Sequence, residues 1–204
     1  MEQLNLIQLL YKSIKEGAAD NRSKKSILWF KEQCEIVSKD TDITPDFDQV
    51  TDDESRFTLD PEYGTLYHFK YRATTKDLPY YDRFPLSFII RRNATSFYGL
   101  NMHYLHYPYR AVLMEQLYSL QNNTGIDKDK RLILTYRTLN KSARFKFFRP
   151  CIKHYLFRNM KSPFMKIDYS EWNMALFLPT ENFVKVGKKE VWEDSIRIIK
   201  GMKK

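Results

Sequence analysis

The 204-residue chain has little cysteine, little glycine and no long apolar run. Its two cysteines, Cys34 and Cys151, form no CxxC pair and are too few for a disulfide framework. The first residues lack the basic start, apolar stretch and small-residue site of a secretory signal. Together these absences predict a soluble protein of a reducing compartment. The longest apolar runs, such as Pro85–Ile90, fall far short of the ~20 residues of a membrane helix, so no membrane partner is expected. The six glycines build no GxxxxGK[ST] loop, no GxGxxG turn and no GxSxG elbow. No cofactor is expected. Zinc-finger, helix-turn-helix and RNP signatures are also missing. Any contact with DNA is therefore expected to run through phosphates and shape rather than base edges.

Charge and aromatic rings are abundant. Charged residues make up 29% and aromatics 15% of the chain, which excludes a disordered or low-complexity protein. The net charge of +9 is unevenly spread. Residues 1–62 carry 8 Lys/Arg against 14 Asp/Glu, and residues 63–204 carry 26 against 11. The acidic centre, 40–62, sets nine carboxylates against Arg56 alone; the basic centre, 128–166, sets twelve cations against Asp129. The chain thus reads as an N-terminal helical segment (1–40), an acidic connector (41–62) and a basic body (63–204). The connector reads as a solvated linker that can also shield the basic body until a stronger polyanion displaces it.

Periodicity predicts helices at 2–16 and about 23–38, the first on Leu4, Ile7, Tyr11 and Ile14, the second on Ile27, Phe30, Cys34 and Val37. Trp29, among Lys24, Lys25 and Lys31, is expected to face the core. A strand is predicted at 65–71, which alternates and is rich in aromatic residues, followed by strands at 86–92, entered through Pro85, and 97–105. Tyr109–Leu120 reads as a helix with Pro108 in its first turn and Val112, Leu113, Leu117 and Leu120 on one face. Most of 129–160 is read as helix broken before Pro150, 164–167 and 175–178 as short strands, and Lys188–Lys200 as a terminal helix on Val191, Trp192, Ile196 and Ile199. The predicted fold is α+β. It is a small five-stranded SH3-like or OB-like barrel with an N-terminal helical pair, a helical insertion between strands three and four, and a C-terminal helix.

Candidate chemistry is sparse. His103 and His106 form an HxxH pair, but no Cys or carboxylate cluster accompanies them and zinc needs three or four ligands. A packed or hydrogen-bonded pair is expected, and no metal. Asp46, Asp48, Asp52, Asp53 and Glu54 offer carboxylates for a Mg²⁺-dependent nuclease, yet they lie in a proline-interrupted stretch with few apolar anchors. Cys151 sits in the basic run Arg149-Pro-Cys-Ile-Lys-His154, a setting that lowers a thiol's pKa if the charges are close. No catalytic residue is assigned and no enzyme is expected.

The basic aromatic block is the strongest signal. Arg137, Lys141, Arg144, Lys146, Arg149, Lys153 and Arg158 fall within 22 residues with no acid between them, and Lys161 follows. Such a density of like charge is self-repelling and implies a polyanionic partner. These eight cations are the predicted DNA-backbone contacts. The interleaved Phe145, Phe147, Phe148, Tyr155 and Phe157 are expected mostly in the core.

Several segments occur together in a characteristic order: Tyr80-Tyr-Asp-Arg-Phe-Pro-Leu86, Gly99-Leu-Asn-Met-His-Tyr-Leu105, Tyr109-Arg110, Phe148-Arg-Pro-Cys-Ile-Lys-His-Tyr155, Glu171-Trp172 and Ala175-Leu-Phe-Leu-Pro179. In these the chain resembles the DNA end protector family of T-even-like tailed phages, over about residues 63–195. Relatives tend to carry prolines after the His-Tyr-Leu run, where this chain has His106-Tyr107-Pro108. The resemblance implies a non-enzymatic protein of the virion head. It would bind the ends of packaged linear double-stranded DNA and, in the host cytoplasm, block an end-dependent exonuclease. Other head or neck proteins are implied as partners, and the oligomeric state is left open. The alternative is a structural head-completion, neck or baseplate protein. Asp82 is expected to satisfy backbone N–H groups or pair with a buried arginine, and Glu171-Trp172 to close the barrel.

Overall fold

The computed structural model describes residues 54–121, 147–168 and 171–201. The predicted helices at 2–16 and 23–38, with Trp29 and Cys34, lie outside these residues. So do Asp46, Asp48, Asp52 and Asp53 of the acidic connector.

Among the described residues, eight strands form two sheets. The larger, in the order β1-β7-β2-β4-β5-β6, takes β1 from Phe57–Thr58, β2 from Leu66–His68, β4 from Leu86–Arg92, β5 from Ser96–Asn101, β6 from Ile152–Leu156 and β7 from Phe164–Ile167. Every neighbouring pair is antiparallel. A two-stranded ribbon joins β3 (Tyr81–Asp82) to β8 (Phe183–Val184). Helix α1 spans Tyr107–Gln121, and α4 spans Lys188–Lys200. Two single turns, α2 (Phe148–Cys151) and α3 (Trp172–Ala175), lie between them in the chain. The α+β class and the C-terminal helix agree with the sequence reading.

Three expectations are corrected. The sheet has six strands and is open: its edges, β1 and β6, are not paired with each other. Residues 152–156 are strand rather than helix, because Ile152, Lys153, His154, Tyr155 and Leu156 pair in register with β5. Pro150 sits inside the turn of α2, where a single turn asks little of its missing N–H. Residues 175–178 are not a strand. Trp172–Ala175 is helical, and Leu176, Phe177 and Leu178 continue into a turn that is buried almost completely. An apolar run of four gives no period by which to tell these apart.

Both faces of the sheet are covered. Alternation along β4 sends Leu86, Phe88 and Ile90 to one face and Ile89 to the other. The first face packs on Leu113, Met114 and Leu117 of α1 and on Val191 and Trp192 of α4. Val112, predicted on the apolar side of α1, is exposed. The second face is an aromatic cluster of Tyr67, Phe69, Tyr71, Phe97, Tyr155 and Phe164. Strands β5 and β7 are three spacings apart in sheet order, about 14 Å on a flat sheet. Yet the rings of Phe97 and Phe164 meet at 5.3 Å, so the sheet curls over this cluster. Curling brings β4 and β6 side chains against β5 at Gly99, where a Cβ would lie 2.3 Å from Ser87 Oγ. The strand therefore has no room for a side chain there.

The acidic stretch ends inside this architecture. Phe57 and Thr58 pair with Met165 and Phe164 of β7, and Arg56 bonds Glu171 at 2.8 Å. Glu171 thereby anchors the incoming chain instead of closing a barrel. Trp172 packs edge-on against Phe88 at 4.9 Å and donates its indole N–H to the Ile167 carbonyl.

Candidate nucleic-acid interface

A buried polar network holds the elements together. Asp82 Oδ1 accepts from the backbone N–H of Phe84 and of Asn182. Its Oδ2 accepts from Asn101 Nδ2 at 3.1 Å and from His103 Nδ1 at 2.7 Å. Burial alone would raise the Asp82 pKa, but the His103 charge and these hydrogen bonds outweigh it and hold the carboxyl below its usual range. An ionised carboxylate only accepts, so His103 Nδ1 carries a proton and, in the neutral ring, Thr180 Oγ1 donates to Nε2 at 3.1 Å. As predicted, Asp82 serves backbone N–H groups, but the side chains it bonds are those of Asn101 and His103 rather than an arginine. Arg110, also fully buried, donates to the carbonyls of Leu105 and Leu176 and to Glu181 Oε2.

The two histidines of the HxxH pair part company. His106 lies edge-on to Trp192 at 4.7 Å, whereas His103 points into the Asp82 network. Asp82, His103 and Thr180 have the order of a proton relay, yet none is more than 2% exposed, so no substrate reaches them. Cys151 is sealed as well. Burial pushes its thiol up to about 12, against the nearby cations, so the lowered pKa anticipated from its basic sequence setting does not arise. A rise from 9.0 to about 12 cuts the thiolate fraction roughly a thousandfold. In a Cys34→Ser background, the native protein is expected to react with a maleimide near pH 8 at least that much more slowly than the urea-unfolded chain. Equal rates would place the thiol at the surface.

Of the eight predicted backbone contacts, Arg137, Lys141, Arg144 and Lys146 lie outside the described residues. Arg149, in the turn before β6, and Arg158, in the 3-10 turn after it, are both exposed. Lys153 is half-buried. Its ammonium lies over the Tyr104 ring, 3.6 Å from the centroid, and desolvation lowers its pKa to about 8. Phe148 and Tyr155 are core residues, and Phe147 and Phe157 pack against the core. Lys161 is exposed and lines a cleft of about 570 Å³ with Lys70, Arg72, Arg83, Tyr71 and Tyr81.

Sequence reasoning did not place Lys70, Arg72 or Arg83 among the DNA contacts. The signal was present in the run Phe69-Lys70-Tyr71-Arg72, which alternates buried and exposed and so puts both cations on one side. Main-chain bonds then bring the three segments together. Tyr71 N–H donates to the Arg83 carbonyl at 2.8 Å, Arg72 N–H to that of Asn159 at 3.0 Å, and Lys161 N–H to that of Lys70 at 2.8 Å. Among the described residues, no carboxylate lines the cleft. Ion pairs form elsewhere: Asp60 with Arg92, Asp168 and Glu171 with Arg56, Glu181 with Arg110 and Lys188, and Asp194 with Arg197. Among the described residues, no side-chain partner engages Lys70, Arg72, Arg83 or Lys161.

Fold and site together define a mixed α+β protein, built on a curled antiparallel sheet, that keeps a cluster of cations unpaired at its surface. Residues 2–195 match the family described as phage T4 terminal DNA protecting protein, and the chain belongs to that family. The match takes in the first sixty residues, which the motif resemblance left aside. Neither the curated proteins nor the solved structures contain a match. None of the described helices is long and apolar enough to cross a membrane.

Proposed function

We propose that this protein binds the ends of packaged linear double-stranded DNA in the phage head and, after injection, shields them from host exonuclease without chemistry of its own. The observation that carries this reading is the unpaired cationic surface in a chain whose family protects terminal DNA. The phosphate contacts are assigned to Arg137, Lys141, Arg144, Lys146, Arg149, Arg158 and Lys161. Lys153 makes a smaller contribution because the Tyr104 ring already holds its ammonium. Such a cap needs affinity and shape, and its acids and nucleophiles can be spent on the fold, as Asp82 and Cys151 are.

The test is to digest linear duplex with a processive double-strand exonuclease, with and without the full chain, using a relaxed covalently closed circle as competitor. The expected result is protection that an equal mass of circle does not compete away. Loss of protection to the circle would reduce the activity to general polyanion binding and favour a head or neck assembly role.

A further inference from the structure

The four cations of the cleft come from three separate segments and meet at one point. Like charges so placed repel one another, and among the described residues no carboxylate relieves them. Their backbones are nevertheless fixed. Each takes part in a main-chain bond to another segment, including Arg83 N–H to the Asn182 carbonyl at 2.7 Å and Lys70 N–H to Ser162 Oγ at 2.8 Å. Tyr71 is held too, its hydroxyl accepting from Leu156 N–H and Asn159 Nδ2 at 3.3 Å each, and its ring meets that of Tyr81 edge-on. The main chain of the site is therefore preorganised, and the ordering cost left on binding is that of the four cationic side chains.

Size and charge select the anion. A space of about 570 Å³ lies within the range of small-ligand pockets, about 300–1,000 Å³, and does not admit a duplex. An internal phosphodiester carries one negative charge, whereas a phosphomonoester carries about −1.5 to −2 at neutral pH and offers three strong acceptor oxygens. Two arginines and two lysines around one pocket match the second better, with arginine suited to bidentate contact. We propose that this cleft holds the terminal phosphomonoester of a DNA strand, so that a cut end is distinguished from continuous duplex. This deepens the end-protection reading and rests on it.

The test measures affinity of the full chain for four probes of one sequence. Three are hairpins with a single blunt end bearing a 5′-phosphate, a 3′-phosphate or neither, and the fourth is a dumbbell closed at both ends. One phosphorylated hairpin is expected to bind at least about tenfold more tightly than the unphosphorylated one. Which of the two does so identifies the strand. Lys70→Gln/Arg83→Gln should abolish this preference and leave dumbbell affinity nearly unchanged, and Arg72→Gln repeats the test on the third cation that takes no part in the DNA-backbone contacts. Lys166→Gln/Lys189→Gln removes the same charge from exposed positions outside the cleft and should keep the preference. Equal binding of phosphorylated and unphosphorylated ends, both above the dumbbell, would overturn the cleft assignment and leave end protection standing. Equal binding of all four probes would overturn end recognition and the cleft with it. A preference that survives in both cleft variants would put the phosphate elsewhere.

Discussion

Asp82→Ala is expected to leave no cooperatively folded protein at physiological temperature. The substitution removes the acceptor of four donors, the N–H groups of Phe84 and Asn182, Asn101 Nδ2 and His103 Nδ1, of which Asn101 Nδ2 keeps its bond to Tyr155 Oη. Each orphaned buried group costs about 1–3 kcal/mol, and a domain's whole stability is about 5–15 kcal/mol. Acid should act through the same network. Asp82 has a depressed pKa in the folded state, so its stabilisation is present above the unfolded carboxylate value and lost as pH falls through the folded one. His68 adds to this with the same sign. Desolvation, helped by His103, lowers its pKa from 6.5 to about 3, so the unfolded chain binds more protons in that interval. Stability should therefore fall steadily from about pH 6.5 downward. Thermal melts followed by circular dichroism between these limits check both statements. A folded Asp82→Ala protein with an unchanged melting temperature would show that the network contributes nothing.

The second large effect concerns DNA. If about six cations contact phosphates, log K should fall against log salt with a slope near −5, or roughly a thousandfold between about 50 and 200 mM. Reversing the charge of Lys141, Arg144 and Arg149 together should shallow the slope by about three contacts and weaken binding at least a hundredfold at low salt. Arg149 is exposed, so at that position the change should not disturb the core. Fluorescence anisotropy at several salt concentrations, beside a melt of each protein, separates lost contacts from lost fold. Full affinity in a folded triple variant would move the interface away from this block.

The segments that carry the family resemblance turn out to hold the fold together. Asp82, from the Tyr80–Leu86 run, bonds Asn101 and His103 of the Gly99–Leu105 run. Arg110 reaches Leu176 in the Ala175–Pro179 run, and Tyr155 shares Asn101 with Asp82. These bonds tie segments distant in the chain to one another. The cations assigned to the proposed activity fall mostly between these segments in the sequence.

Composition and periodicity alone determined the α+β class, the helix at Lys188–Lys200, strand positions near 66–68, 86–92 and 164–167, and the concentration of positive charge after residue 62. These properties are local: a period of 2 or 3.6, or a count of charges, is read from neighbouring residues. Tertiary structure decided everything that depends on residues distant in the chain. It opened the expected barrel into a six-stranded curled sheet and made 152–156 a strand by pairing it with β5. It silenced Cys151 by burying it, though its sequence neighbours are cationic. It also brought Lys161 to Lys70, Arg72 and Arg83, which are far apart in sequence, through three main-chain hydrogen bonds. Pairing partners, desolvation and convergent charge are set by distances in space, and a linear pattern carries no record of them.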